Sequence, residues 1–301
     1  MVHFLEMKWF RIMASDKPLY AIALMILAMV CIPAGDAAGK VLSNELSVQP
    51  LFIAWSRFLI GAIFISCLMK PGSIQLYLFK DWRIWLRALF IIGGITSILT
   101  ALRTEPIANV FAAFFIGPIL SYFVSGFLLK EPITLGRTIL LLIGFIGVLL
   151  VVKPGLNLSA GMMFAILAGC FYGAFLVASR WLATLASGKM MLFSQLSIGT
   201  LILAPFGVSD IPEITGTIAS FTLMSALGSA IGNLFLILAY QKMQASRLAP
   251  LVYVQLVAAT VFGIMLFGAY PDALALVGIS VLLISGLASF MLPQSATAAK
   301  R

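Results

Sequence analysis

Long apolar runs, each of roughly 20 residues and closed by a short polar loop, follow one another along nearly the whole chain. That pattern leaves few folds open. A hydrocarbon core of ~30 Å takes ~20 residues of α-helix, and a helix satisfies its own backbone hydrogen bonds where an open strand cannot. Barrel strands would alternate polar and apolar residues over ~10-residue segments, whereas these runs are continuously apolar. Composition points the same way: 62% of the 301 residues are apolar and 10% charged, far from the balance of a water-soluble domain. The expected fold class is all-α integral membrane. Flanking Pro, Gly and charge place ten transmembrane helices near residues 19–42, 50–69, 83–102, 107–129, 134–152, 160–181, 189–208, 217–241, 247–268 and 272–292.

An even number of spans brings both termini to one side of the membrane. Fifteen of the 19 Lys and Arg residues fall on that side and three, Lys40, Arg103 and Lys153, on the other, with Arg57 inside a span. Basic residues collect on the cytoplasmic side, so both termini are expected there, with Glu45, Asp210, Glu213 and Asp272 in far-side loops. The net charge of +9 is scattered singly over loops, without the basic and aromatic stripe of a nucleic-acid surface. The expected partner is therefore the lipid bilayer and no nucleic acid. Residues 1–18 read as a cytoplasmic amphipathic tail on the membrane surface and residues 293–301 as a second cytoplasmic tail. Cys31, Cys67 and Cys170 lie singly in apolar runs, which implies neither a disulfide framework nor a metal site.

The chain also repeats itself. Residues 101–118 align with 239–256, the Gly136/Gly144 pair recurs as Gly278/Gly286, and Lys40 closing the first span matches Arg180 closing the sixth. A unit of five spans is odd, so its second copy enters the membrane from the opposite side. Two inverted five-helix repeats follow, 19–153 and 159–292, joined near residues 153–159. Inverted halves suit a carrier, because they can rock about one site at the midplane and expose it to each side in turn.

Several motifs carry little chemistry. Gly35-Asp-Ala-Ala-Gly39-Lys40 resembles a phosphate loop but has one residue too few between the glycines and Val41 in place of Ser or Thr. Gly35/Gly39, Gly169/Gly173 and Gly228/Gly232 read instead as small-residue contacts that pack spans one, six and eight closely. The single histidine, His3, lies in the N-terminal tail, and Asp36 is the one clear mid-span carboxylate, so no enzyme site and no cofactor is expected. Pro33, Pro118 and Pro205 sit within spans, as kinks or gates.

The candidate site residues are polar side chains inside spans, where contact with hydrocarbon is costly. Asn109, Tyr122, Tyr172, Gln195, Asn233, Tyr253 and Gln255 are the candidates for a polar, aromatic pocket that holds a small organic molecule. Asp36 and Arg57 lie at similar depths in adjacent spans and are expected to pair, with Lys40 one turn outward. Such a pair either stitches two helices together or opens to meet substrate.

Pro118, then Leu128-Leu129-Lys130-Glu131-Pro132, then Gly136 and Gly144-Phe145-Ile146-Gly147-Val148, resemble the drug/metabolite transporter superfamily, specifically proteins built from two EamA domains. The second copy departs from the pattern: Leu256 replaces the proline, and no glutamate precedes Pro271. Asp36-Ala-Ala-Gly-Lys40, Trp55-Ser-Arg57-Phe58 and Leu86-Arg87-Ala88 resemble the subgroup labelled S-adenosylmethionine uptake transporters. The resemblance implies a bacterial inner-membrane carrier, often an exporter of amino acids or related solutes, acting as a monomer or homodimer. Alternating access to a small-molecule substrate without ATP is the leading expectation. Uptake of an adenosyl or nucleotide-like metabolite is the alternative, and a channel or membrane scaffold a third.

Overall fold

A computed structural model describes residues 17–70, 72–131, 133–152, 159–243 and 245–291. All regular structure among them is helical: α1 (Lys17–Asn44), α2 (Pro50–Cys67), α3 (Trp82–Thr104), α4 (Ile107–Phe114), α5 (Ile116–Leu128), α6 (Leu135–Val152), α7 (Ala160–Trp181), α8 (Gly188–Ser209), α9 (Gly216–Lys242), α10 (Ala245–Leu248), α11 (Val254–Phe267) and α12 (Ala273–Met291). Among the described residues, seven helical stretches are long and apolar enough to cross a membrane, and three shorter apolar helices complete the ten expected runs. The N-terminal tail up to residue 16, Pro132, the joint at 153–158 and the C-terminal tail from residue 292 lie outside the described residues.

Local chemistry sets the helix ends. Asp81, Ser159, Ser187 and Thr215 each precede a helix and accept a hydrogen bond from a backbone N–H in its first turn. The Arg83 side chain and amide also hold the Asp81 carboxyl below the usual carboxylate range. Gly268 closes α11 at φ 59°, a left-handed conformation that glycine adopts without strain.

Two of the ten runs are broken. The fourth divides into α4 and α5 at Phe115, which bonds back to Ala112 in a tighter turn. Pro118 causes the break, because its ring excludes the carbonyl of Phe114 four residues earlier from a helical bond. The ninth run passes from α10 through a 3-10 turn, Ala249–Tyr253, into α11. Leu256 aligns with Pro118, yet this repeat breaks too, with Pro250 at its turn. Pro33 and Pro205, by contrast, lie inside continuous helices.

Helix packing follows the repeat. α1 packs against α9 and its counterpart α7 against α3, while α2 pairs with α8 and α6 with α12. α5 lies on α7 as α11 lies on α1. Shifting each span by five thus maps the set of contacts onto itself, which is the signature of a pseudo-two-fold axis between inverted halves.

Glycines fix two of the crossings. A Cβ on Gly35 would come within 2.9 Å of Ser225 O and Ser229 N, so α1 and α9 touch backbone to backbone. Gly173 and Gly117 face each other in the same way, a Cβ on either lying 2.6 to 3.4 Å from backbone of the other's helix. The expected close packing of spans one, six and eight is thereby corrected: one meets eight, but six turns its glycines to span four. Gly39 meets side chains of its neighbours and not their backbone. A Cβ there would strike the Arg57 guanidinium, so its missing side chain makes room for that cation.

Candidate functional site

Asp36 lies eight residues before the end of α1 and Arg57 seven after the start of α2. At ~1.5 Å per residue they sit about 12 and 10 Å below the same end of the bundle. The short connector at 45–49 keeps the helices adjacent, and the side chains meet: Arg57 Nη1 donates to Asp36 Oδ1 at 2.5 Å. Both side chains are 2–3% exposed. Arg57 Nη2 donates to Gly35 O at 2.8 Å and Nε to Ser225 Oγ at 2.7 Å, while Ser225 donates onward to Gly35 O at 2.9 Å. One guanidinium therefore ties α1, α2 and α9 together, each donor group aimed at an oxygen.

A small, partly open cavity lies beside this knot. Asp36 and Arg57 line it from the first repeat, Tyr172, Ser229, Asn233 and Gln255 from the second, and Ile91, Ile95 and Ile98 of α3 form an apolar wall. Phe114, at the break between α4 and α5, faces Tyr172 with ring centroids 4.6 Å apart. The Tyr172 hydroxyl, Asn233 Oδ1 and both amide atoms of Gln255 are buried with no hydrogen-bond partner among the described residues. Each such group costs ~1–3 kcal/mol until something supplies a partner. On the cavity wall these groups are placed to hydrogen-bond polar atoms that enter.

Five of the ten residues expected at the site thus line the cavity: Asp36, Arg57, Tyr172, Asn233 and Gln255. The other five lie elsewhere. Lys40 is 7% exposed and donates at 2.8 Å to both Leu102 O and Glu105 O. The Tyr122 hydroxyl accepts from Thr134 N–H at 3.2 Å and lies 3.3 Å from Thr138 Oγ1, fastening α5 to the start of α6. Tyr253 is buried against the Phe115 ring at 5.1 Å, Gln195 is buried in α8, and Asn109 is half-buried at the start of α4. Ser225 and Ser229 were missed. With Asn233 they form a polar stripe at every fourth position of α9, a helical spacing visible in the sequence.

Arg87, 1% exposed inside α3, is another buried cation. It donates to Ser179 Oγ at 3.0 Å and Met191 O at 3.1 Å, and its guanidinium lies 4.7 Å from the Phe175 ring centre. This knot joins α3, α7 and α8, the repeat counterparts of the helices α9, α1 and α2 that Arg57 joins. Only the Arg57 knot contains a carboxylate among the described residues.

The model of the EamA-like transporter family matches residues 19–153 and again residues 159–291. The chain belongs to this family. As an EamA-family membrane transporter it is similar to the S-adenosylmethionine uptake transporter of Rickettsia bellii, 24% identical over 263 residues, 86% of this chain and 89% of that protein. It is also similar to the pseudopaline exporter of Pseudomonas aeruginosa, 26% identical over 231 residues, 75% of this chain and 81% of the exporter. A solved crystal structure shares the fold with a TM-score of 0.71, at 16% identity, covering 95% of this chain and 99% of the other. Three EamA motif residues have visible work in the transporter: Pro118 breaks the fourth span, Glu131 pairs with Arg180 at 3.0 Å, and Gly144 leaves room for Tyr253 and Ser285.

Proposed function

We propose that this transporter carries a small zwitterionic metabolite, an amino acid or a related solute, across a bacterial inner membrane by alternating access, with both termini cytoplasmic and export as the favoured direction. The observation that carries the reading is the buried Asp36–Arg57 pair on the wall of a cavity that both repeats build. A carboxylate entering the cavity competes with Asp36 for the Arg57 guanidinium, which binds such groups in two-point fashion. The released Asp36 then offers its charge to the cationic end of the same molecule. The hydroxyl of Tyr172 and the amides of Asn233 and Gln255 complete the recognition with neutral hydrogen bonds. The chain has no complete nucleotide-binding motif, so a solute gradient or exchange drives the cycle.

A second reading, movement of an adenosyl metabolite, is favoured by the rings of Phe114 and Tyr172, 4.6 Å apart at the cavity, and by the relative named for S-adenosylmethionine uptake. That molecule also has an amino acid end, so both readings use the same ion pair. Purified protein is screened for thermal stabilisation by amino acids, their N-acylated forms and adenosyl amino acids, because only a ligand of the folded state raises its stability. Stabilisation by a compound with free amino and carboxylate groups, lost when either is blocked, is the expected result. Counterflow of that compound in proteoliposomes then separates a carrier from a channel.

A further inference from the structure

The repeat pairs two cations, and the structure gives both the same task at opposite ends of the bundle. The register that sets Ala101 on Ala239 sets Leu102 on Tyr240. Lys40, at the end of the first span, donates to Leu102 O at the end of the third. Arg180, at the end of the sixth, donates to Tyr240 O at 3.3 Å at the end of the eighth. Each cation therefore caps the negative C-terminus of the helix related to the other's by the pseudo-two-fold.

The third member of each contact is also matched. Phe267, closing the ninth span, places its ring 5.6 Å from Lys40 Nζ. Glu131, just past the fourth span, accepts from Arg180 Nε at 3.0 Å. Spans one, three and nine thus meet at Lys40, and spans six, eight and four at Arg180. These same six spans, with the second, form the cavity wall.

We infer that Lys40 and Arg180 are repeat-related latches, each closing one end of the cavity, and that opening either end breaks its latch while the other holds. Neither residue lines the cavity; both are positioning residues that act through helix ends. The two latches differ in chemistry. Lys40 hydrogen-bonds neutral carbonyls, with the Glu105 charge acting on it from nearby, whereas Arg180 bonds the Glu131 carboxylate directly, so removing the Glu131 charge weakens one end selectively. The inference rests on the transporter reading but not on any substrate.

The test reads cavity access directly. Ser229, on the cavity wall and 6% exposed, is replaced by Cys in a chain whose Cys31, Cys67 and Cys170 are changed to Ala. A membrane-impermeant thiol reagent is applied to each face in turn, using intact cells and inverted vesicles. Lys40→Gln is expected to raise labelling of the reporter from one face by roughly fivefold, and Glu131→Gln or Arg180→Gln to raise it similarly from the opposite face, the shift that loss of one ion pair or cap produces. Lys40→Arg and Arg180→Lys keep the charge and are expected to stay near the parent pattern. Increases from the same face for both classes, or no increase in either, would overturn the inference. Should Lys40→Gln and Arg180→Gln unfold and label from both faces alike, Glu131→Gln, which leaves both cations in place, decides the matter: increased labelling from the Arg180 face alone supports the latches, and the parent pattern overturns them. Labelling needs no transport, so a failed substrate assignment leaves this result intact, and the converse also holds.

Discussion

Arg57 donates to the Asp36 carboxylate at 2.5 Å while its other nitrogens hold Gly35 O and Ser225 Oγ, so a charge that pairs two neighbouring helices also anchors them to a helix of the other repeat. A pair that only stitched α1 to α2 would need neither the serine from α9 nor a place on the cavity wall. Its position lets one event, loss of the Asp36 contact, reach both halves of the molecule.

Replacing Asp36 by Asn keeps the shape and one acceptor for Arg57 but removes the charge. Transport is expected to fall to background while the protein still inserts and runs as a single species in size-exclusion chromatography. Asp36→Ala is expected to lower the melting temperature as well, since a buried cation left without its partner costs ~3–5 kcal/mol. The double exchange Asp36→Arg with Arg57→Asp distinguishes the two roles. Recovery of transport would assign the pair to helix stitching, and a stable, inactive protein to direct substrate contact.

Cavity access gives a second check. Cys placed at Asn233 or Gln255 is expected to react with a small water-soluble thiol reagent and to be shielded by bound substrate, because both positions line the cavity. Cys at Tyr253 is expected to stay unreactive in the folded protein, that side chain being packed on Phe115 and off the wall. Equal reactivity at all three sites would contradict the cavity as drawn.

The α1–α9 crossing has no room for a side chain. Gly228→Ala would bring its Cβ to 2.9 Å from Gly35 N and 3.1 Å from Cys31 O, so separation of the two helices is expected to destabilise the protein by ~1–3 kcal/mol. Gly268→Asn, at φ 59° with open space around the Cβ, is expected to destabilise less, because asparagine tolerates the left-handed region better than other side chains. Thermal unfolding in detergent compares the two.

Orientation is tested with reporters. A fusion after Arg301 is expected to behave as cytoplasmic and one inserted in the Asp210–Glu213 loop as periplasmic. Both on one side would rule out the ten-span topology.

Much of this protein follows from its sequence alone. Run length and apolarity place the helices, because hydrocarbon demands about 20 residues per crossing and tolerates no unpaired backbone. The repeat offset and the depths of Asp36 and Arg57 along their helices bring out the pseudo-two-fold and the ion pair, since a helix converts residue number into height at ~1.5 Å per residue. Height is not azimuth, however. Lys40, Tyr122 and Tyr253 have the polarity expected of a pocket, and only the packed bundle turns Lys40 to the end of α3, Tyr122 to the start of α6 and Tyr253 onto Phe115. Partners that decide such directions lie far along the chain, Leu102 62 residues from Lys40 and Ser225 168 residues from Arg57. Which face of each helix turns inward is set by the backbone contacts of Gly35 with Ser225 and Ser229 and of Gly117 with Gly173, and those contacts exist only once the two halves have closed on each other.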